Sequence, residues 1–358
     1  MSWKGPSLDG DQRDLLAMLT DLTADSAETA SKVKDADSAA RDTLLAGHRQ
    51  QLTELGLWTL GADEEAGGAG ADGLTTVLAW QRIARAWPAA AWASVQAHAA
   101  LDILADSASR AETCEAIAAG TLQVAVVVAG GAGTALQDSG TGVQGTIHRV
   151  DVGDEAPFVI IIDPHEHTAV LIGTSECSAT PLETTGLDGA RSATLSVEAA
   201  DAEMITGPGV AAGLSRLLVG LSAVAAGVAD AAADEALAYA SQRRQFGDVL
   251  TAIPNVLNSL GAQQREVARV VAAAVAAAAQ TGAGQTGTAR SAAALTATAR
   301  DAVTTAVDVA TAALQSHGGY GFLTEYPAEK RLRDALSLQA VCDLHSLEAA
   351  GSQTLTRV

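Results

Sequence analysis

Gln315-Ser-His-Gly-Gly-Tyr-Gly-Phe-Leu-Thr-Glu-Tyr-Pro-Ala-Glu-Lys-Arg-Leu-Arg-Asp-Ala335 decides how the chain is read. A helical stretch near 287–316 runs into the paired glycines 318 and 319, and a second resumes after Pro327 and continues to about 355. Paired glycines let a backbone approach a phosphate or ribose closely, and Gln315 stands where it can hydrogen-bond the same group. A Gly-Gly pair is equally an ordinary helix stop. Upstream, Arg243-Arg-Gln-Phe-Gly247 closes another helical segment near 210–243, and a further one spans 254–281. Four long helical segments separated by Gly or Pro predict a four-helix bundle. The run Val270-Val-Ala-Ala-Ala-Val-Ala-Ala-Ala-Ala279 has high helix propensity and is too short to span a bilayer, so it reads as bundle core.

Before Gly207-Pro208-Gly209 the period changes. Gln123–Ala129, Phe158–Ile162, Ala169–Ile172 and Ala193–Val197 are short, β-branched and bounded by Gly, Asp and Pro, which predicts a small β insert of about 80 residues. From Asp11 to about Ala119 the pattern is helical again, with apolar residues such as Leu15, Leu16, Leu19 and Leu22 at three and four spacing, broken once at Gly67-Gly68-Ala69-Gly70. The reading is an α+β chain of three parts: an N-terminal helical domain over 1–121, a reduced β-domain over 122–206 and a helical bundle over 207–358.

Composition limits the function. The 358 residues carry 22 Lys and Arg against 42 Asp and Glu, a net charge of −20. Such a surface repels phosphate backbones and anionic lipids, so neither nucleic acid nor membrane is an expected partner. Cys114, Cys177 and Cys342 lie far apart without metal-site spacing, which fits a reducing, cytoplasmic setting. The acidic start, with Asp9, Asp11 and Asp14, is unlike an export signal. Aromatic residues make up only 3% of the chain, so alanine-rich helices in close approach must build the interior.

The segments Gln315–Ala335 and Arg243–Gly247 closely resemble the acyl-CoA dehydrogenase family, and Leu55-Gly-Leu57 followed by Glu64-Glu-Ala-Gly-Gly-Ala-Gly70 is similar to its N-terminal loop. The resemblance implies that fold and FAD as cofactor. It also implies a flavin held between subunits, with the RxQFG segment of one reaching the diphosphate and adenosine end of a flavin bound mainly by its neighbour. Arg243 suits that task through its guanidinium fork, Gln245 through a hydrogen bond and Phe246 as a flat apolar wall; Gln315, Gly318 and Gly319 complete the set.

Departures from the family pattern direct the functional reading. The usual glutamate base stands nine residues beyond the Arg of Arg-Asp-Ala; counting from Arg333 reaches Cys342, followed by Asp343. The alternative place for a base, just before an arginine on the first C-terminal helix, holds Ser215, followed by Arg216. Near pH 7 serine does not accept an α-proton, and a thiol with an ordinary pKa of about 8.5 is mostly protonated. Where relatives carry flavin-contacting hydroxyls, this chain has Val128-Ala-Gly-Gly-Ala-Gly-Thr-Ala135, and Arg149 and Asp151 replace the family's Trp and Thr. A carboxylate at Asp151 would repel a reduced flavin.

The chain thus resembles the non-catalytic subunit of an α2β2 acyl-CoA dehydrogenase. It would share FAD with a paralogous catalytic subunit that also holds most of the acyl-CoA, in the manner of heterotetramers acting on bulky thioesters such as steroid side-chain intermediates. Two alternatives stand beside this. One is a homotetrameric flavoprotein using Asp343 or Glu348 as base, as relatives that oxidise nitroalkanes use an aspartate near this place. The other is a flavin-free scaffold. Weaker candidates read as structure: His165-Glu166-His167 as a solvated turn, Cys342 with Asp343 and His345 as ordinary helix surface, and Gly282-Ala-Gly-Gln-Thr-Gly287 as an inter-helix loop.

Overall fold

The computed structural model describes residues 3–105, 110–129, 134–138, 142–152, 158–199, 202–281, 289–342, 344–345 and 347–348. Five helices open the chain: α1 (Gly10–Asp35), α2 (Ser38–Glu54), α3 (Gly73–Ala86), α4 (Pro88–Leu104) and α5 (Ala111–Ala118). The carboxylates of Asp9, Asp37 and Asp72 accept backbone N–H groups of the first turns of α1, α2 and α3, and Pro88 starts α4 where a missing N–H costs nothing.

Eight strands follow: β1 (Val124–Val128), β2 (Thr134–Asp138), β3 (Val143–Asp151), β4 (Phe158–Asp163), β5 (Thr168–Ile172), β6 (Cys177–Pro181), β7 (Ser192–Ala199) and β8 (Glu203–Thr206). They form two four-stranded sheets, ordered β1-β4-β5-β8 and β2-β3-β7-β6, antiparallel except for the β1–β4 pair. Val159 and Ile161 of β4 face the second sheet, whereas Ile160 and Ile162 face the helical core. Burial on both sides explains why β4 reads as an unbroken apolar run. Strands β2, β6 and β8 and most of β3 escape the sequence reading because they are polar, Gly-containing edges or neighbours of edges. His165-Glu166-His167 forms the turn between β4 and β5, with the Asp163 carboxylate accepting the N–H groups of His165 and Glu166.

The C-terminal region holds α6 (Pro208–Gln242), a hairpin of β9 (Arg244–Gln245) and β10 (Asp248–Val249), then α7 (Pro254–Thr281), α8 (Ala289–His317) and α9 (Ala328–Leu338). α6 is long and apolar enough to cross a membrane, but it is buried core, packed against α3, α4, α7, α8 and α9. Three glycines seven residues apart permit this. A Cβ at Gly213 would meet Ile103 and the Ala99 carbonyl, one at Gly220 would meet Val95, and one at Gly227 the Gln81 carbonyl and Ala84. The fourth helix does not run unbroken: α9 ends at Leu338, the chain is helical again at 344–345 and 347–348, and the stretch beyond 348 lies outside the described residues. The N–H groups of Gln339 and Ala340 tighten onto the carbonyls of Leu336 and Ser337, and Cys342 and Leu344 then turn into the core. Cys342 therefore lies in a bend and not on helix surface. The segment 282–287 lies outside the described residues.

His98 is fully buried on α4. The N–H of Gly61 donates to its Nε2 at 3.0 Å and its Nδ1 faces the Ser94 carbonyl at 2.8 Å, so the ring is neutral with its proton on Nδ1. Burial, and next the charge of Arg216, pull its pKa from 6.5 to about 3. Unfolded chains bind this proton at higher pH than the folded protein does, so stability is present above about 6.5 and is lost as pH falls toward 3. The loss is up to about 1.4 kcal/mol per pH unit, and burial of His48 acts in the same direction. Melting curves between pH 7 and 4 should show a shallower decline for His98→Gln than for the wild type; parallel declines would assign acid sensitivity elsewhere.

Candidate functional site

The two C-terminal motifs meet at one end of the bundle. α6 and α8 both finish there, with Tyr239 of α6 stacked on His317 of α8 at 4.4 Å between ring centroids. Beyond Gln242 the chain makes a two-residue turn in which Phe246 (φ +55°) and Gly247 (φ +91°) are both left-handed, the pattern of a tight hairpin. A phenylalanine there is strained, and it is 94% exposed. Gly318 (φ +58°) ends α8 and leads into a 3-10 turn over Gly318–Phe322.

These elements bring the guanidinium carbon of Arg243 over the Tyr320 ring, 4.8 Å from its centroid. Arg85, Arg216, Arg269, Arg331 and Arg333 each pair with a carboxylate. The Arg243 side chain forms no hydrogen bond or ion pair with a described residue. Gln245, Gln315, Gly318 and Gly319 are exposed, and a Cβ at either glycine would meet nothing within 4 Å. Phe246, Tyr320, Phe322 and Leu323 add exposed apolar surface. The arrangement offers an unneutralised cation, open backbone and flat rings, which suits an anionic ligand bearing an aromatic group.

Two candidate base positions, Ser215 and Glu348, lie away from Arg243 along their helices. Ser215 sits near the opposite end of α6, about 40 Å along the axis from Gln242. Its hydroxyl donates to the Ala211 carbonyl at 2.8 Å. Arg216 beside it is held by Asp102 of α4 at 2.9 Å, a pairing that spacing alone does not reveal. Burial pushes the Asp102 pKa up, against the pull of Arg216. Cys342 is buried. Asp343 lies outside the described residues. Glu348 pairs with Arg300 at 2.5 Å, and Arg300 is about 25 Å along α8 from His317.

Asp151 is buried at the end of β3, where its carboxylate accepts from the Ser192 hydroxyl and lies 3.4 Å from Arg149. Gln96 of α4 crosses to the same place: its Nε2 donates to the Asp151 carbonyl at 3.3 Å, and its Oε1 accepts the Val126 N–H at 3.0 Å. Of Val128–Ala135, residues 130–133 lie outside the described residues. Asp334 is also fully buried; it accepts the Leu187 N–H at 2.8 Å and pairs with Lys330, docking α9 onto the β6–β7 connection.

Comparison with known proteins matches residues 9–121 to the acyl-CoA dehydrogenase N-terminal domain and 211–341 to the acyl-CoA dehydrogenase C-terminal domain. The chain belongs to the acyl-CoA dehydrogenase family. An acyl-CoA dehydrogenase of Bacillus subtilis is 33% identical over 117 residues, and a short-chain-specific one of Clostridium acetobutylicum is 34% identical over 117 residues. Each alignment covers 33% of this chain and 30% of the relative. Whole-chain likeness is one of fold. Butyryl-CoA dehydrogenase of Megasphaera elsdenii superposes with a TM-score of 0.79 at 21% identity, covering 99% of this chain and 100% of that one. Glutaryl-CoA dehydrogenase of Mycobacterium smegmatis gives 0.80 at 16% identity over 98% and 96%. PigA, solved with FAD and proline, gives 0.78 at 14% over 100% and 98%. Within this acyl-CoA dehydrogenase fold, sequence reasoning missed the tyrosine cluster around Arg243. The available signal was that Tyr239, Tyr320 and Tyr326 are the chain's only tyrosines, the first just before Arg243–Gly247 and the other two within Gln315–Ala335.

Proposed function

We propose that this chain is the FAD-completing, non-catalytic subunit of a heteromeric acyl-CoA dehydrogenase. The observation that carries the reading is the distance within one chain. The open cation Arg243 and the position of Ser215 lie at opposite ends of α6, which supports a flavin that touches Arg243 while its reactive ring is served by another subunit. FAD fits the Arg243 end: the guanidinium is unneutralised, the glycine backbone at 318 and 319 is open, and Phe246 projects from the molecule. At this chain's own β-domain the fit is poor, because Asp151 is committed to Ser192 and Arg149.

When bound, FAD accepts the hydride in α,β-desaturation of an acyl-CoA thioester. This chain's part is to hold the cofactor. Arg243 binds the diphosphate by charge-assisted hydrogen bonds, the open turn at Gly318 and Gly319 admits it closely, and Phe246 walls the adenosine end. A paralogous catalytic subunit supplies the ring-binding β-domain, the base and most of the thioester site. The resemblance to heterotetramers acting on bulky thioesters favours a large, steroid-like acyl group. Glu348 is engaged by Arg300, which weighs against its use as a base here.

Co-expression tests the reading. The tagged chain should capture a base-bearing paralogue in equal amount, and the captured complex should be yellow. A yellow, active homotetramer of this chain alone would overturn it.

A further inference from the structure

We infer that Tyr320 is the positioning residue for Arg243, holding its guanidinium ready for a diphosphate; the inference rests on the proposed function. In a chain with 42 acidic residues against 22 basic ones, the ordinary fate of a half-buried arginine is a carboxylate partner. A carboxylate would neutralise the charge and occupy the N–H donors. An aromatic ring does neither: it attracts the cation through its face, while the donors lie in the guanidinium plane and stay available at the edge.

The ring is itself fixed by a relay of contacts. Tyr320 packs edge-on against Tyr326 at 6.2 Å, Tyr326 edge-on against Tyr239 at 5.6 Å, and Tyr239 stacks on His317 at 4.4 Å. His317 is buried and anchored by Nδ1 to the Ala313 carbonyl at 2.8 Å. All three tyrosines of a chain poor in aromatics are thus spent on one platform joining the ends of α6 and α8 to the segment before α9. The hairpin fixes the other partner: the Leu250 N–H donates to the Arg243 carbonyl at 2.8 Å, closing the loop at its base.

Two measurements on the full-length chain test this. ADP, the probe for the diphosphate and adenosine end, is titrated calorimetrically into the wild type, Tyr320→Phe, Tyr320→Leu and Arg243→Ala. Tyr320→Phe keeps the ring face and should bind as the wild type does. Tyr320→Leu should bind about two- to fivefold more weakly, and Arg243→Ala about tenfold or more. Wild-type affinity in Tyr320→Leu, with weakening in Arg243→Ala, would overturn the role of Tyr320 and leave the diphosphate reading standing. Wild-type affinity in Arg243→Ala would overturn the diphosphate reading itself. Independently of nucleotide, the Arg243 δ-methylene protons should be shifted upfield by the ring in the wild type and Tyr320→Phe and should return to ordinary values in Tyr320→Leu. An unchanged resonance in Tyr320→Leu would overturn the inference whatever ADP does.

Discussion

Arg243→Ala should release FAD from the assembled complex while leaving the two kinds of subunit together. Among the described residues the guanidinium pairs with no acid, so its removal leaves no described carboxylate without a partner. Losing a charge-assisted contact to a diphosphate costs about 1.5–3 kcal/mol, a weakening of roughly tenfold or more. The substitution leaves the exposed apolar side chains Phe322 and Leu323 in place, so subunit association should survive it. Titrating FAD into the stripped mutant complex measures the effect. An unchanged dissociation constant would mean that Arg243 points away from the flavin.

Cys342→Glu should restore no dehydrogenase turnover, in the isolated chain or as additional activity in the complex. The substitution puts a carboxylate where the resemblance of the Arg333-Asp-Ala segment implies a base, but a base needs a hydride acceptor beside the same substrate. On the proposed reading that acceptor is missing, since Asp151 is tied into its own sheet by Ser192 and Arg149. The new carboxylate would instead enter a core shared with Leu344 and Leu347, a burial without a partner that costs about 1–3 kcal/mol. The variant should therefore melt earlier than the wild type and remain inactive with an acyl-CoA and an artificial electron acceptor. Turnover above that of the wild type would place a working flavin next to Cys342.

What was legible in the sequence followed from local rules. The β-branched runs of β1, β4, β5 and β7 and the long alanine-rich helices declare themselves by period and punctuation. The polar strands β2, β6 and β8 did not, because each lies at a sheet edge with one partner and carries little apolar alternation. The break after Leu338 was not legible because helix propensity continues past it, whereas the inward turn that buries Cys342 and Leu344 is a tertiary event.

At the site, Arg243, Gln245, Phe246, Gln315, Gly318 and Gly319 were reached from two motifs, and the structure gathers Arg243 and the turn at Gly318 at one end of the bundle. The ring beneath Arg243 was not legible, since Tyr320 and Arg243 are far apart in the chain and only the joint ending of α6 and α8 makes them neighbours. The same holds for Asp102, which meets Arg216 across two helices.

A symmetric homotetramer of this fold would hold four equivalent flavin sites, each shared between two subunits. If this chain offers only the Arg243 half, each heterodimer closes one site, and the reciprocal site, built on this chain's own β-domain, does not form. Native mass spectrometry of the co-expressed complex, kept under conditions that retain FAD, counts the flavins directly. Two FAD per α2β2 assembly is the predicted result; four per assembly would contradict the account.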